Sequence, residues 1–208
     1  MKRDIPRIRP RVAVIYFGWN DHWMGLGAED GDIRRVERSL LYRFRDLRVA
    51  QLASKVLVAS RLGKRTASPR RVPPDRFRSN LTGMVRLARE HGIEPVLVTA
   101  PCAHERGSEP AYLAQRCLQN LDELVPLHQE YVVIVREVGA AESAAVCDLS
   151  ATLSRLPASD LREKYFKADG VHMTPLGDER AAECLYETLR DNGLLPKICA
   201  LETPRSRL

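Results

Sequence analysis

An aspartate and a histidine three residues apart, Asp169 and His172, lie in the segment FKADGVHMTP (166–175), just before a proline that can open a helix. At that spacing the carboxylate can accept the Nδ1 proton of the imidazole, which fixes one tautomer and leaves Nε2 free to take a proton. Because an unperturbed histidine titrates at about 6.5, His172 would be a general base near neutral pH. The two residues can equally be a cap for the helix after Thr174.

A second polar segment, GWND at Gly18 to Asp21, follows directly on an apolar run. The amide of Asn20 is an uncharged donor of the kind that an oxyanion in acyl transfer needs, and loss of one such donor typically costs roughly 100- to 1,000-fold in rate. A plain turn is the alternative, since Gly, Asn and Asp are also good turn formers. Three apolar residues near Asn20, namely Trp19, Trp23 and Met24, either line an apolar acyl pocket or pack this loop onto the long helix predicted after it.

The elements that must position these residues are visible as apolar patterns. Three short runs predict buried strands: VAVIYF (12–17), PVLVTA (95–100) and AAVCDL (144–149). Apolar residues at spacings of three and four predict helices over 33–58, 75–91, 120–142 and 175–191. Alternating strands and helices imply an α/β layer fold with a parallel sheet, in which ligands bind outside the carboxyl ends of the strands.

The domain organisation is predicted to be simple. The basic, proline-rich segment 63–75 predicts a loop but no domain boundary, so we expect one domain over residues 1–208 with a C-terminal tail at 193–208. No apolar run reaches the ~20 residues of a membrane span, and the N-terminus has no apolar signal region. The compartment is left open, because upstream sequence that holds a signal could be missing.

Charge is unevenly distributed along the chain. The net charge is +6, but residues 1–80 hold 19 Lys and Arg against 8 Asp and Glu. A solvated helix face explains this excess, and contact of the arginine-rich residues 34–76 with an anionic membrane surface is the alternative. No known nucleic-acid-binding motif accompanies the arginines, so no nucleic-acid partner is expected.

The five cysteines include no C-x-x-C pair, which favours buried free thiols over a metal or redox motif. His22, His104 and Asp21 match no metal-ligand spacing, so neither a metal nor a cofactor is predicted. A metallophosphoesterase stays an alternative, in which those three residues would have to be metal ligands.

In this order and on these elements, the two polar segments resemble the SGNH (GDSL-type) hydrolase family. GWND (18–21) is similar to the family's G-x-N-D block, and DGVH (169–172) to its D-x-x-H block. The segments 77–102 and 146–150 are similar to the family's fourth strand, with the helix before it, and to its fifth strand. The resemblance spans about residues 11–190 and implies a flavodoxin-like, three-layer α/β/α fold.

The resemblance also implies roles and an activity. Asn20 matches the oxyanion-hole asparagine, His172 the base and Asp169 the acid that orients it, while Gly18, Trp19 and Asp21 are expected to contact substrate. The reaction implied is hydrolysis of a small-molecule ester or acylated substrate through an acyl-serine. Neither the acyl group nor the alcohol is specified by the sequence.

The sequence departs from the family in one respect. The G-D-S nucleophile block should precede the G-x-N-D block, but only seventeen residues precede Gly18, and a βαβ unit needs about 30. No serine lies in a Gly-Asp-Ser context, so we expect an incomplete fold with the family's strands 3, 4 and 5. The chain is then a fragment that is inactive on its own, and VAVIYF becomes a sheet edge. The alternatives are a pseudo-enzyme that binds an acyl or ester ligand, and a basic interaction domain.

Overall fold

A computed structural model of the chain describes residues 8–24, 29, 70–116, 118 and 120–195. The strands are β1 (Val12–Tyr16), β2 (Glu94–Val98) and β3 (Ala145–Cys147). The helices are α1 (Pro74–Glu90), α2 (Leu113–Arg116), α3 (Leu124–Ala141), α4 (Leu149–Leu153), α5 (Ala158–Asp160) and α6 (Pro175–Asp191). A 3-10 turn at Leu121–Glu123 precedes α3, and a π-helical turn at Leu161–Tyr165 follows α5. The helix predicted over 33–58 lies outside the described residues.

The strands form one parallel sheet in the order β1-β2-β3, which confirms the predicted α/β fold class. Val14 of β1 is in register with Val96 of β2, and Val98 of β2 is in register with Cys147 of β3. Residues 95–98 of the central strand are all buried, because β2 has neighbours on both edges and side chains packed on both faces.

Helices lie on both faces of the sheet, which gives three layers. The core on one face contains Leu97 together with Leu81 of α1 and Tyr131 of α3. The core on the other face contains Val98 together with Cys184 of α6. Adjacent residues of β2 enter different cores because side chains alternate across a strand.

β1 is an edge strand in the described part of the chain, where it pairs with β2 alone. Of its five residues only Ile15 is buried, while Val14 and Tyr16 are 47% and 42% exposed, and Phe17 just beyond the strand is 50% exposed. Such an edge presents unpaired backbone N–H and C=O groups and apolar side chains to any strand that can pair with it.

The described helix boundaries follow their local sequence. Helix α1 takes up the last two residues of the loop predicted at 63–75, because Pro74 fits a first turn where no N–H partner is needed. Residues 63–69 of that loop are outside the described residues, as is the predicted tail apart from 193–195. At α6, Thr174 is the N-cap, and its Oγ1 accepts a hydrogen bond from the Gly177 N–H at 3.3 Å.

Gly139 lets α3 approach β3 closely, which yields a test of the packing. A Cβ at this position would lie 2.2 Å from Val146 Cγ2. We expect Gly139→Ala to lower the free energy of unfolding by about 1–3 kcal/mol, since a stiff β-branched side chain would have to move. Gly83→Ala in α1 is the matched control: no atom lies within 4 Å of its Cβ, so it should stabilise by roughly 0.5–1 kcal/mol. Urea-unfolding midpoints measure both, and equal shifts would contradict the packing.

Candidate active site

The turn after β1 presents Asn20 at the carboxyl edge of the sheet. Gly18 is buried with φ +138°, a backbone conformation that other residues rarely adopt, and its Cβ position faces Ala100 Cβ at 3.6 Å. The Gly18 N–H donates to Asp21 Oδ2 at 3.1 Å, and the Asp21 carbonyl accepts from the Val72 N–H at 2.9 Å. These bonds fix the turn and leave Asn20 exposed.

Asp169 and His172 form the predicted hydrogen-bonded pair. The distance between His172 Nδ1 and Asp169 Oδ2 is 2.7 Å. Because an ionised carboxylate only accepts hydrogen bonds, Nδ1 carries the proton and the lone pair is at Nε2. Asp169 Oδ1 accepts from the N–H groups of Val171 and His172, both at 2.9 Å, and Gly170 makes this tight loop with φ +69°.

The pKa of Asp169 reflects this set of donors. Burial acts to raise it, but the N–H groups of His172 and Val171 and the imidazole of His172 outweigh burial and lower it to about 2. The carboxylate is therefore ionised at every pH at which His172 would act as a base.

One pocket of about 590 Å³ brings the two segments together. It is lined by Tyr16, Trp19, Asn20, Trp23, Tyr112, Leu113, Asp169, Val171 and His172. The predicted donor, base and acid thus share one cavity whose other walls are apolar or aromatic. Gly18 and Asp21, which were expected to contact substrate, are not among the lining residues, since their bonds build the turn itself.

The loop after β2 joins the two halves of the pocket. The indole N–H of Trp19 donates to the Pro101 carbonyl at 3.1 Å, and the Ala103 N–H donates to the Gly170 carbonyl at 3.0 Å. The ring of His104 lies between Trp19 and Gly170. It is edge-on to Trp19, with ring centroids 5.7 Å apart, and it contacts Gly170.

Two fully buried histidines, His22 and His128, lie beneath Trp19. His128 Nε2 donates to the Ala100 carbonyl at 2.8 Å, so its Nδ1 is an acceptor and faces His22 Nε2 at 3.4 Å. Trp19 stacks on His128 with centroids 4.2 Å apart. Burial, the main cause in both, lowers the pKa of His22 to about 3 and that of His128 to about 4. Both rings are therefore neutral supports at neutral pH.

Asp148, just after β3, anchors the same sheet edge. It accepts from Arg136 Nε at 2.8 Å and from Thr99 Oγ1, at the end of β2, at 2.9 Å. The Ser150 N–H in turn donates to Thr99 Oγ1 at 2.9 Å. This network fixes the ends of β2 and β3 relative to each other.

Sequence patterns missed several of these residues. Tyr112, Leu113 and Val171 line the pocket, yet nothing in their local sequence distinguishes them from core residues. His128 has no local signal either, because its role depends on contacts with Trp19 and Ala100 from distant segments. His104, which matches no metal-ligand spacing in the sequence, lies in the loop after β2 beside Trp19.

The alternatives of a metal site and of a basic surface that contacts a membrane receive no further support from the described residues. Among residues 8–24, 29, 70–116, 118 and 120–195, no group of three or more His, Cys, Asp or Glu side chains is arranged to hold a metal ion. Three arginines at or near the end of the basic segment pair with acids: Arg70 with Glu130, Arg76 with Glu29 and Arg78 with Glu137. No described helix is long and apolar enough to cross a membrane.

Solved structures share this fold. The lipase/acylhydrolase from Enterococcus faecalis superposes with a TM-score of 0.52 and 19% identity, over 92% of this chain and 68% of its own. LAE5, an α/β hydrolase enzyme from the metagenome of Lake Arreo in Spain, gives a TM-score of 0.50 and 16% identity, over 94% of this chain and 65% of its own. The chain thus spans about two thirds of each. No curated protein matches the sequence.

The three-layer parallel α/β fold is that of the SGNH hydrolases. Residues 1–180 match the profile of the GDSL-like lipase/acylhydrolase family, and the chain belongs to that family. The resemblance inferred from GWND and DGVH is thereby confirmed. The match establishes a family of ester hydrolases, whereas the roles of individual residues remain predictions.

The low pKa of Asp169 predicts a pH-dependent stability. A carboxylate with a depressed pKa adds stability above its unfolded pKa of about 3.9, and this contribution is lost as the pH falls through about 2. The difference in the free energy of unfolding between wild type and Asp169→Asn should shrink as the pH falls from about 4 to 2. Urea unfolding at a series of pH values measures it, and a difference that stays constant to pH 2 would rule out the assigned cause.

The contact of His104 with Gly170 yields a second test. A Cβ on Gly170 would lie 2.6 Å from His104 Cε1, in addition to the strain of its positive φ, whereas Gly107 has φ +85° and open space. We expect Gly170→Ala to destabilise by about 1–3 kcal/mol more than Gly107→Ala. Adding His104→Ala should recover part of the excess. Denaturant unfolding of wild type, G170A, G107A, H104A and the double variant G170A/H104A decides it, and strict additivity of G170A and H104A would show that the ring does not press on this loop.

Proposed function

We propose that this chain supplies the base, the orienting acid and an oxyanion donor of an ester hydrolase that works through an acyl-serine. The observation that carries the proposal is the 2.7 Å hydrogen bond between Asp169 and His172. Both residues line the pocket that Asn20 also lines. Two solved relatives in fold are named as a lipase/acylhydrolase and a hydrolase, which supports this class of reaction.

Each residue has a defined task in the proposed reaction. His172 Nε2 takes the proton of the serine hydroxyl as that oxygen attacks the ester carbonyl, and Asp169 stabilises the resulting imidazolium. The Asn20 amide donates to the carbonyl oxygen as it becomes negative. The imidazolium then protonates the departing alcohol, and His172 activates water in the same way to release the acid.

The pocket walls favour a substrate with an apolar acyl part. Trp19, Trp23, Tyr112 and Leu113 give the cavity a mostly apolar surface beside the Asp–His pair. Neutral imidazoles beneath Trp19 add no charge to that wall at neutral pH. We therefore propose a small ester or acylated molecule as the partner, while membrane-surface contact through residues 34–76 remains an untested proposal.

The serine is proposed to come from a further strand. No serine is among the described residues that line the pocket, and Tyr16 at the end of β1 is one of those residues. The carboxyl ends of parallel strands meet at one edge, so a strand that pairs with the open side of β1 would end beside this pocket. A residue just after that strand would face His172. We propose that the 208-residue chain without such a strand does not turn over esters.

Hydrolysis of short-chain aryl esters tests this function. We expect activity when the chain is extended by upstream coding sequence that contains a Gly-Asp-Ser strand, and none from the 208-residue chain. In the extended form, His172→Ala should lower kcat/KM by roughly 10⁴- to 10⁶-fold, and Asn20→Ala should lower kcat by roughly 100- to 1,000-fold. The exposed His91 at the end of α1 provides the control, since His91→Ala should leave both constants within about twofold.

A fluorophosphonate probe separates the alternatives. The 208-residue chain should show no stoichiometric serine labelling, and labelling of any of its serines would refute the proposal that the nucleophile comes from another strand. An upstream reading frame without a Gly-Asp-Ser strand, together with saturable binding of an aryl ester by the 208-residue chain, would identify a pseudo-enzyme. Salt-dependent binding of nucleic acid by the same chain would instead support a basic interaction domain.

A further inference from the structure

Two buried thiols meet in the core on the other side of the sheet from α1 and α3. Cys147 ends β3 and is fully buried, and Cys184 lies in the middle of α6 and is 8% exposed. Their sulfur atoms are 3.1 Å apart. Neither residue lines the catalytic pocket, so this pair is a separate chemical site.

We propose that Cys147 and Cys184 are a redox-active pair that closes to a disulfide on exposure to hydrogen peroxide. The sulfurs need to approach by only about 1 Å to reach the bonded distance of about 2.05 Å. Both lie in regular structure: Cys147 pairs in register with Val98, and Cys184 belongs to a helix whose N-terminus is capped by Thr174.

Cys184 is the thiol that meets the oxidant first, because it is the less buried of the two and hydrogen peroxide is close to water in size. Its sulfur attacks one peroxide oxygen, the O–O bond breaks, and the departing hydroxide takes the proton of the Cys184 thiol to become water. The product at Cys184 is a sulfenic acid. This step uses one thiol and one peroxide.

Cys147 then resolves the sulfenic acid. Its sulfur attacks the Cys184 sulfur, the S–O bond breaks, and the released hydroxide leaves as water with the Cys147 proton. In total, two thiols lose two electrons and two protons, and one peroxide becomes two waters. Burial, followed by the hydrogen bond with Cys184, raises the pKa of the Cys147 thiol to about 12, so Cys147 is protonated at neutral pH and this step is slow.

The bond would fasten α6 to the sheet. Asp148, the residue after Cys147, holds the ends of β2 and β3 together, while α6 begins directly after the segment that carries His172. The disulfide would therefore link the sheet edge covalently to the helix beside the catalytic loop. A cross-link that closes a chain segment of this length should raise Tm by roughly 5–10 °C.

Peptide mapping of the oxidised 208-residue chain is the direct test. After treatment with hydrogen peroxide, removal of the peroxide, unfolding and alkylation, trypsin should release residues 137–155 joined to residues 181–190, each of which contains one cysteine. The joined mass should be about 2 Da below the sum of the two reduced peptides. Reduction with dithiothreitol should restore both peptides and reverse the rise in Tm.

Two variants sharpen the outcome. Cys102→Ser retains the pair and should form the same joined peptides with the same Tm shift. Cys147→Ser removes the resolving thiol, so Cys184 should accumulate as a sulfenic acid that dimedone traps. Recovery of both wild-type peptides fully alkylated while Cys102 is oxidised, or of Cys184 joined to any other cysteine, would overturn the proposal even if a variant fails to fold.

Discussion

The backbone hydrogen bond from the Ala103 N–H to the Gly170 carbonyl is the contact on which the site depends. It ties the loop after β2 to the segment that carries Asp169 and His172, while the Pro101 carbonyl in the same loop holds Trp19 of the Asn20 turn. One loop therefore sets the spacing between the amide donor and the base. The proposed acyl transfer needs that spacing, because the Asn20 amide must reach the carbonyl oxygen while His172 reaches the attacking hydroxyl.

The layer beneath this loop must be neutral for the arrangement to hold. His22 and His128 are fully buried, and His128 donates its only proton to the Ala100 carbonyl. An imidazolium there would cost several kcal/mol in desolvation and would turn two N–H donors towards one another. The low pKa of both rings keeps them neutral. Trp19 can therefore stack on an uncharged ring and present an apolar surface to the pocket.

Sequence patterns predicted the features that depend on nearby residues and missed those that depend on contacts between distant segments. The strands and the helices α1, α3 and α6 follow from short-range periodicity, and the Asp169–His172 bond follows from a spacing of three residues. The short helices α2, α4 and α5 were not predicted. Sequence patterns did not reveal that Gly18 and Asp21 build the turn, through a positive φ and a side chain bonded to the Gly18 N–H, while their contact with substrate stays a prediction. His128 and Tyr112 reach the site through contacts between segments distant in sequence, which no periodicity records.

The solvent exposure of the Asp169–His172 pair connects the proposed chemistry with the open edge of β1. The His172 side chain is 72% exposed and that of Asp169 is 35% exposed, so water screens their interaction and competes for Nε2. Removing that water would strengthen both the Asp–His interaction and the donor effect of Asn20. Tyr16 both ends the open edge strand and lines the pocket. A strand that pairs with β1 would therefore cover the apolar edge and close the site in one step, because the same residue borders both.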